Sequence, residues 1–223
     1  MFVWNTARKS RWHGEDLIRS EQFGPDRLAE HAVSLAGAQG FAKPRSDNAL
    51  AARLRDNQVA LLASYRAIAR AVEHGEAITP SAEWILDNYH VVEEQVFQIK
   101  ADLPPGYYRQ LPRIQKGHLK GLPRVFGIAW AYVAHMDSRF DADTLCRMLD
   151  AYQRVEPLTI GELWAVAITL RIVLVENLRR AGNRIVESHD LRRKADVIAD
   201  HALGLLGVSQ VPISTALDNA AAH

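Results

Sequence analysis

The sequence is short of cysteine, of net charge and of long apolar runs, and each shortage excludes a class of protein. Its 223 residues include one cysteine, Cys146, which excludes a disulfide within the chain and a cysteine-ligated zinc site and is typical of a reducing compartment. We expect Cys146 to pack as a small apolar residue. The 27 basic and 26 acidic side chains nearly cancel, so no broad positive field favours nucleic acid or an anionic membrane as a partner.

Long uninterrupted apolar segments are also missing. The longest run, residues 163–175, contains Arg171 and is shorter than the roughly 20 residues that cross a bilayer. The first residues lack an apolar core of the length that a secretory signal needs. We therefore expect a cytoplasmic chain without a membrane span.

Helical periodicity is what the sequence has in plenty. Apolar residues recur at spacings of three and four in residues 81–99, where Thr79 and Pro80 are placed to cap and begin a helix. We expect this helix to organise the core. Thr159 and Glu162 have the spacing of a capping box, which predicts a second firm helix start. No segment alternates with period two, so we predict an all-α fold, an irregular bundle of about seven helices without a sheet.

Prolines and glycines predict how the chain is divided. We interpret residues 1–23 as an arm that Trp4 and Trp12 can anchor, residues 24–207 as a single helical domain, and residues 208–223 as a flexible tail.

Two further interruptions lie inside the predicted domain. The prolines and glycines of residues 102–122 predict a long loop, and loops of that length are often functional. Gly182 is expected to break or kink the helix that starts at Thr159, so that residues 191–206 form a separate final helix.

The helix at residues 81–99 also carries a dense set of polar side chains. Asp87, His90 and Glu94 lie three and four residues apart, a spacing that can hold a metal or share a proton. A second helix with Glu-x-x-His, which a di-metal bundle needs, is not in the sequence. The favoured alternative is that these side chains bond to neighbouring helices. The candidate polar cluster consists of Trp84, Asp87, Asn88, His90, Glu94 and Arg171.

Arg171 interrupts the longest apolar run, so we expect it to be the buried charge of the chain, paired with acidic groups that join helices. Tyr107, Tyr108 and Arg109 form a candidate interaction loop that can stack on a sugar or a partner chain, or else pack its own aromatic rings.

Other motifs point away from catalysis. Asp141-Ala142-Asp143 matches a metal-binding Asp-x-Asp pattern, but Asp141 is also placed to cap a helix, and that role is favoured. Neither a Walker-type nor a dinucleotide-type glycine loop is present. We therefore predict no catalytic residue, no metal site and no cofactor.

Several long segments resemble one protein family. They are SAEWILDNYHVVEEQ, DLPPGYYRQLP, PRVFGIAWAYVAHMDSRFD and YQRVEPLTIGELWAVAITLRIVLVENLRR, and over about residues 24–180 they resemble the N-terminal region of cyclic β-1,2-glucan synthase. The resemblance implies a large enzyme of the bacterial inner membrane that builds β-1,2-linked glucan from UDP-glucose on a protein-attached primer, then trims and cyclises it. The Gln-x-x-Arg-Trp acceptor motif of its transferase domain is not in this sequence, so the resemblance transfers no catalytic residue.

Our leading hypothesis is a non-catalytic helical domain or fragment of such a synthase, which packs on or regulates the transferase and membrane parts in cis or in trans. One alternative is a free-standing small enzyme or ligand-binding module that uses Asp87, His90, Glu94 and Arg171. Another is a self-associating scaffold. The ligand-binding alternative predicts that the four side chains converge on an open cavity, and the structural hypothesis predicts closed contacts between helices.

Overall fold

The computed structural model describes residues 16–42, 49–102 and 105–203, which form seven helices and two very short strands. The predominantly helical fold is therefore as predicted. The elements are α1 (Pro25–Gln39), β1 (Phe41–Ala42), α2 (Ala49–Glu73), α3 (Pro80–Asp102), α4 (Pro105–Tyr108), β2 (Arg113–Ile114), α5 (Arg124–His135), α6 (Ala142–Gln153) and α7 (Ile160–Ala202).

The central helix is α7, which packs against α2, α3 and α5. Helix α5 is buried almost throughout and contacts α1 as well, while α1 packs mainly along α6. Helix α3 was expected to organise the core. It buries Ala82, Ile85, Tyr89, Val96 and Ile99 as its spacing predicts, but the element that the other helices share is α7.

Two pairs of contacts give the direction of α2 relative to α7. Arg53 pairs with Glu176, and further along both helices Ser64 donates to Asn183 over 3.3 Å. The two helices therefore run parallel.

The corresponding contacts of α3 show the opposite direction. Arg171 lies 3.7 Å from Asp102 at the end of α3, whereas Gly182 lies near Ile85 at its beginning. Helix α3 is therefore antiparallel to α7, and the three helices α2, α3 and α7 form one packed group.

The predicted helix ends are present. Thr159 and Glu162 form the capping box of α7, with the Glu162 amide 3.2 Å from the Thr159 hydroxyl and the Thr159 amide 2.9 Å from a Glu162 carboxylate oxygen. The Asp141 carboxylate accepts from the Thr144 amide over 2.7 Å and caps α6. These bonds satisfy backbone donors that a helix start otherwise leaves without a partner.

Three expectations about backbone structure are wrong. Residues 41–42 and 113–114 pair as a small antiparallel sheet, so the described chain is not free of strands. The predicted long loop contains α4 and β2. Gly182 does not interrupt α7. Because glycine has no side chain, α7 can lie close to Ser64 of α2 at this position, and no turn forms there. Cys146 is also exposed and not packed inside.

The described part of the predicted arm is bound to the helices. The Ile18 side chain is 2% exposed, and its amide donates to the Asn177 side chain over 2.7 Å. The Ser20 and Phe23 amides donate to carbonyls at the end of α5. Trp4 and Trp12, and the predicted tail from residue 208, lie outside the described residues. In the described part of the chain, no helix is both long and apolar enough to cross a membrane.

Candidate functional site

The predicted polar cluster lies mostly on the outer side of α3. Trp84, Asp87, His90 and Glu94 are exposed there, and 54% of Trp84 is open to solvent. This follows from the period of the helix, because the stripe from Ala82 to Ile99 faces inward and leaves the intervening positions outside.

The polar residues of this helix bond locally. The Asn88 amide group donates to the Trp84 carbonyl over 2.9 Å, and the Gln98 amide group donates to Glu94 over 3.1 Å. No hydrogen bond or ion pair joins Asp87, His90 and Glu94 to one another in the described part of the chain. Nor does any group of three His, Cys, Asp or Glu side chains there have a metal-binding arrangement.

Arg171 stands apart from these residues and is not the buried charge that was expected. Its side chain is 42% exposed, and it pairs with Asp102, which is 52% exposed. The reason is geometric. Even a deeply packed helix such as α7 has about one residue in each turn whose side chain points to solvent, and Arg171 is such a residue.

Two large apolar side chains that the sequence analysis did not select share the outer side of α3. Val91 is 44% exposed and Phe97 is 73% exposed. From Trp84 to Phe97 the helix rises about 20 Å. We call the exposed set Trp84, Asp87, His90, Val91, Glu94 and Phe97 the α3 face.

The charge of this side of the helix is negative. Glu83, Asp87, Glu93 and Glu94 are exposed along it, with His90 among them. Exposed apolar side chains between carboxylates suit a partner that is apolar and basic, because such a partner covers the rings and complements the charge.

The candidate interaction loop is largely packed inward. The Tyr107 hydroxyl donates to the Gly161 carbonyl at the start of α7, and Tyr108 is 4% exposed. Burial raises the pKa of both phenols, and Glu162 adds to the effect on Tyr107. Arg109 alone of the three is exposed.

A second exposed apolar group lies at the start of α7, beside that loop. Ile160 and Trp164 are 73% and 75% exposed, and Leu163 is 39% exposed. Trp164 belongs to the apolar run of residues 163–175. The spacing of Ile160, Trp164 and Arg171 along one side of the helix was the signal that could have identified an outward stripe.

Two groups of buried charges that join helices were not predicted from the sequence. In the first, Glu176 accepts from Arg53 through both carboxylate oxygens and from Arg180 over 2.8 Å. Burial alone would raise the pKa of Glu176, but its hydrogen bonds and ion pairs with Arg53, and then with Arg180, outweigh burial and lower it. Arg53 occupies a position on the apolar stripe of α2, and that placement was the available signal.

In the second group, Arg124 donates to both oxygens of Glu162 over 2.8 and 2.7 Å. Burial opposes the charged guanidinium, yet the hydrogen bonds and charge of Glu162 raise the pKa of Arg124. Glu162 therefore caps α7 and neutralises a buried arginine of α5. Both carboxylates are enclosed by protein donors, so these groups join helices and offer no open reactive atom.

An apolar cleft of about 330 Å³ lies between the end of α2, the start of α3 and the middle of α7. A second cavity lies beside the two-stranded sheet. Asp87, His90, Glu94 and Arg171 line neither of them. The arrangement that the ligand-binding alternative predicts is thus not present at these two cavities.

No protein-family model matches the chain. The chain is 43% identical over 191 residues to the cyclic β-(1,2)-glucan synthase NdvB of Rhizobium meliloti (strain 1021), and the match covers 85% of the chain but only 7% of that protein. Over most of its length the chain is therefore similar to a small segment of a cyclic β-(1,2)-glucan synthase, which confirms the resemblance that its sequence segments indicated.

Proposed function

We propose that the chain is a non-catalytic helical module of a cyclic β-1,2-glucan synthase and that it docks on the remainder of the synthase through the α3 face. The single observation that carries the proposal is the exposure of Trp84, Val91 and Phe97 on a helix that buries the stripe from Ala82 to Ile99 on its opposite side. Large exposed aromatic side chains at regular helical spacing are typical anchors of protein interfaces.

The site chemistry supports a binding role over a catalytic one. The buried carboxylates of Glu162 and Glu176 are held by arginines, and the exposed acidic residues of α3 line neither of the two cavities described above. Glucan synthesis from UDP-glucose would then belong to other parts of the synthase, at whose cytoplasmic side we place this module.

The interface is tested by binding to the remainder of the synthase, expressed as a separate chain. We expect Trp84→Ser and Phe97→Ser each to weaken binding at least tenfold, which corresponds to about 1.4 kcal/mol, because each removes an apolar anchor. Phe140→Ser is the matched control, since Phe140 is also 69% exposed but lies outside the α3 face. Equal binding by all three variants would contradict the α3 face as the docking surface.

The consequence for activity is measured in the same system. We expect glucan synthesis by the remainder of the synthase to fall when the module is removed and to return when it is supplied in trans. Unchanged synthesis without the module would contradict the proposed role in the enzyme.

The ligand-binding alternative has its own test. Calorimetric titration with UDP-glucose, with and without magnesium or manganese, and with short β-1,2-glucans is expected to give no saturable heat. Saturable binding that Asp87→Asn or His90→Ala abolishes would instead favour a ligand site on α3.

A further inference from the structure

The apolar cleft between α2, α3 and α7 combines two kinds of lining. Aliphatic side chains form most of its wall, and they include Ile68, Ala71, Ile78, Ala82 and Ile185. Three basic side chains also line it, whereas no acidic side chain in the described part of the chain does. An apolar wall beside cationic groups suits an amphiphilic anion, because the apolar part of such a ligand leaves water while its head meets an opposite charge.

The basic side chains of the cleft are Arg184, His189 and Arg192, all of them on α7. Arg184 and Arg192 are exposed, and neither forms an ion pair within the part of the chain that the structure describes. His189 is partly buried, and its Nε2 lies 3.2 Å from a carboxylate oxygen of Glu76, which does not line the cleft. Even when that carboxylate is counted, the two arginines leave the edge of the cleft positive.

The size of the cleft limits what can enter it. At about 30 Å³ for each group the size of a water molecule, its volume of about 330 Å³ holds roughly ten methylene groups. Along α7 the lining extends from Ala181 to Arg192, a rise of about 16 Å, and a ten-carbon zigzag chain with bonds of about 1.5 Å spans roughly 12 Å. One unbranched chain of this length therefore fits, whereas the two longer chains of a phospholipid exceed the volume.

We infer that the cleft binds the anion of a fatty acid of about ten carbons, with its chain against the aliphatic wall and its carboxylate near Arg184 and Arg192. A guanidinium group suits this head, because it can donate two parallel hydrogen bonds to one carboxylate. A sugar or a nucleotide is a poorer ligand, since no Phe, Tyr or Trp among the described residues lines the cleft for a ring to stack on. This inference does not depend on what binds the α3 face.

The first test is calorimetric titration of the full chain with decanoate, for which we expect saturable binding at one site. Octanoate should bind at least tenfold more weakly, because each methylene group removed from an apolar site lowers the affinity about fourfold. Decyltrimethylammonium, which has a chain of the same length and a positive head, should also bind at least tenfold more weakly. No saturable binding of decanoate by a chain that is helical by circular dichroism would overturn the inference, and so would equal affinity for decanoate and decyltrimethylammonium.

The role of the two arginines is tested by charge removal. We expect Arg184→Gln combined with Arg192→Gln to weaken decanoate binding at least fivefold and to reduce the preference for decanoate over decyltrimethylammonium. Arg193→Gln combined with Lys194→Gln is the matched control, because these exposed neighbours on α7 carry the same charge but do not line the cleft. An equal loss of binding in both double variants would contradict a carboxylate site at Arg184 and Arg192.

The position of the ligand's chain is tested by filling the cleft. Ala181 lines it, so Ala181→Leu takes volume that the ligand needs and is expected to weaken decanoate binding at least tenfold. Ala195→Leu makes the same change at an exposed position of α7 outside the cleft and should leave binding unaltered. Unchanged binding by a folded Ala181→Leu chain would overturn the inference.

Two further measurements distinguish other occupants of the cleft. Binding to phosphatidylglycerol vesicles without binding of free decanoate would overturn the inference and assign this edge of the molecule to a membrane surface. A molecular mass in sedimentation that rises with protein concentration, and that Ala181→Leu but not Ala195→Leu returns to the mass of one chain, would overturn it in favour of a second copy of the chain.

Discussion

At the scale of single residues, the enclosed carboxylate of Glu176 depends on its arginine partners. It is 1% exposed and lies between Arg53 and Arg180. Removing one partner of such a group leaves buried charge without compensation, which costs about 3–5 kcal/mol. We therefore expect Glu176→Gln to lower the free energy of unfolding by that amount at pH 7, as measured by urea denaturation.

The lowered pKa of Glu176 sets the pH dependence of this effect. Its ordinary pKa is 4.5, so its stabilising contribution is complete above that pH and is lost as the pH falls through the lower pKa of the folded state. The difference between the unaltered chain and Glu176→Gln should shrink when denaturation is repeated below pH 4.5. Glu187→Gln, at an exposed position of α7, should change stability by less than about 0.5 kcal/mol. A difference between the unaltered chain and Glu176→Gln that does not vary with pH would contradict this account.

At the scale of elements, the contact between α2 and α7 depends on a glycine. A Cβ atom at Gly182 would lie 3.3 Å from both the Cβ and the Oγ of Ser64. Gly182→Leu should therefore overpack this contact and cost about 1–3 kcal/mol in thermal or urea unfolding. Ser64→Gly should recover part of the loss, because it removes the atoms that clash.

Ala195→Leu is the control for this prediction, since residue 195 is exposed on the same helix. It should be nearly neutral. If Gly182→Leu also left the free energy of unfolding nearly unchanged, that result would contradict the close packing of α2 on α7 at this contact.

At the scale of the whole molecule, the first and second halves of α7 lie in different environments. Its buried residues lie between Glu162 and Gly182, whereas residues 191–197 are all exposed. Local opening is easiest where few side chains are packed. We expect amide hydrogen exchange to be at least a hundredfold slower for residues 165–180 than for residues 191–202.

Equal protection along α7 would contradict this prediction. It would mean that the outer half is covered in solution by another copy of the chain, as the self-association alternative requires. Measuring exchange at several protein concentrations separates the two cases, because coverage by a second copy depends on concentration.

The sequence by itself determined the features that depend on neighbours along the chain. The helix type, the Thr159 and Glu162 capping box and the Asp141 cap are made by residues within a few positions of one another, and the apolar spacing of α3 fixes which side is buried. The resemblance to cyclic β-1,2-glucan synthase is likewise a property of the sequence alone.

Only the tertiary structure decided which distant elements meet. A helix period distinguishes two sides but does not say which charged residue finds a partner across the core, so Arg53 and Arg124 proved to be buried while Arg171 lies half outside. The same holds for Gly182, whose role depends on Ser64 in another helix, and for the small sheet, which pairs residues about seventy positions apart. Such contacts depend on the packing of whole helices, which local sequence spacing does not specify.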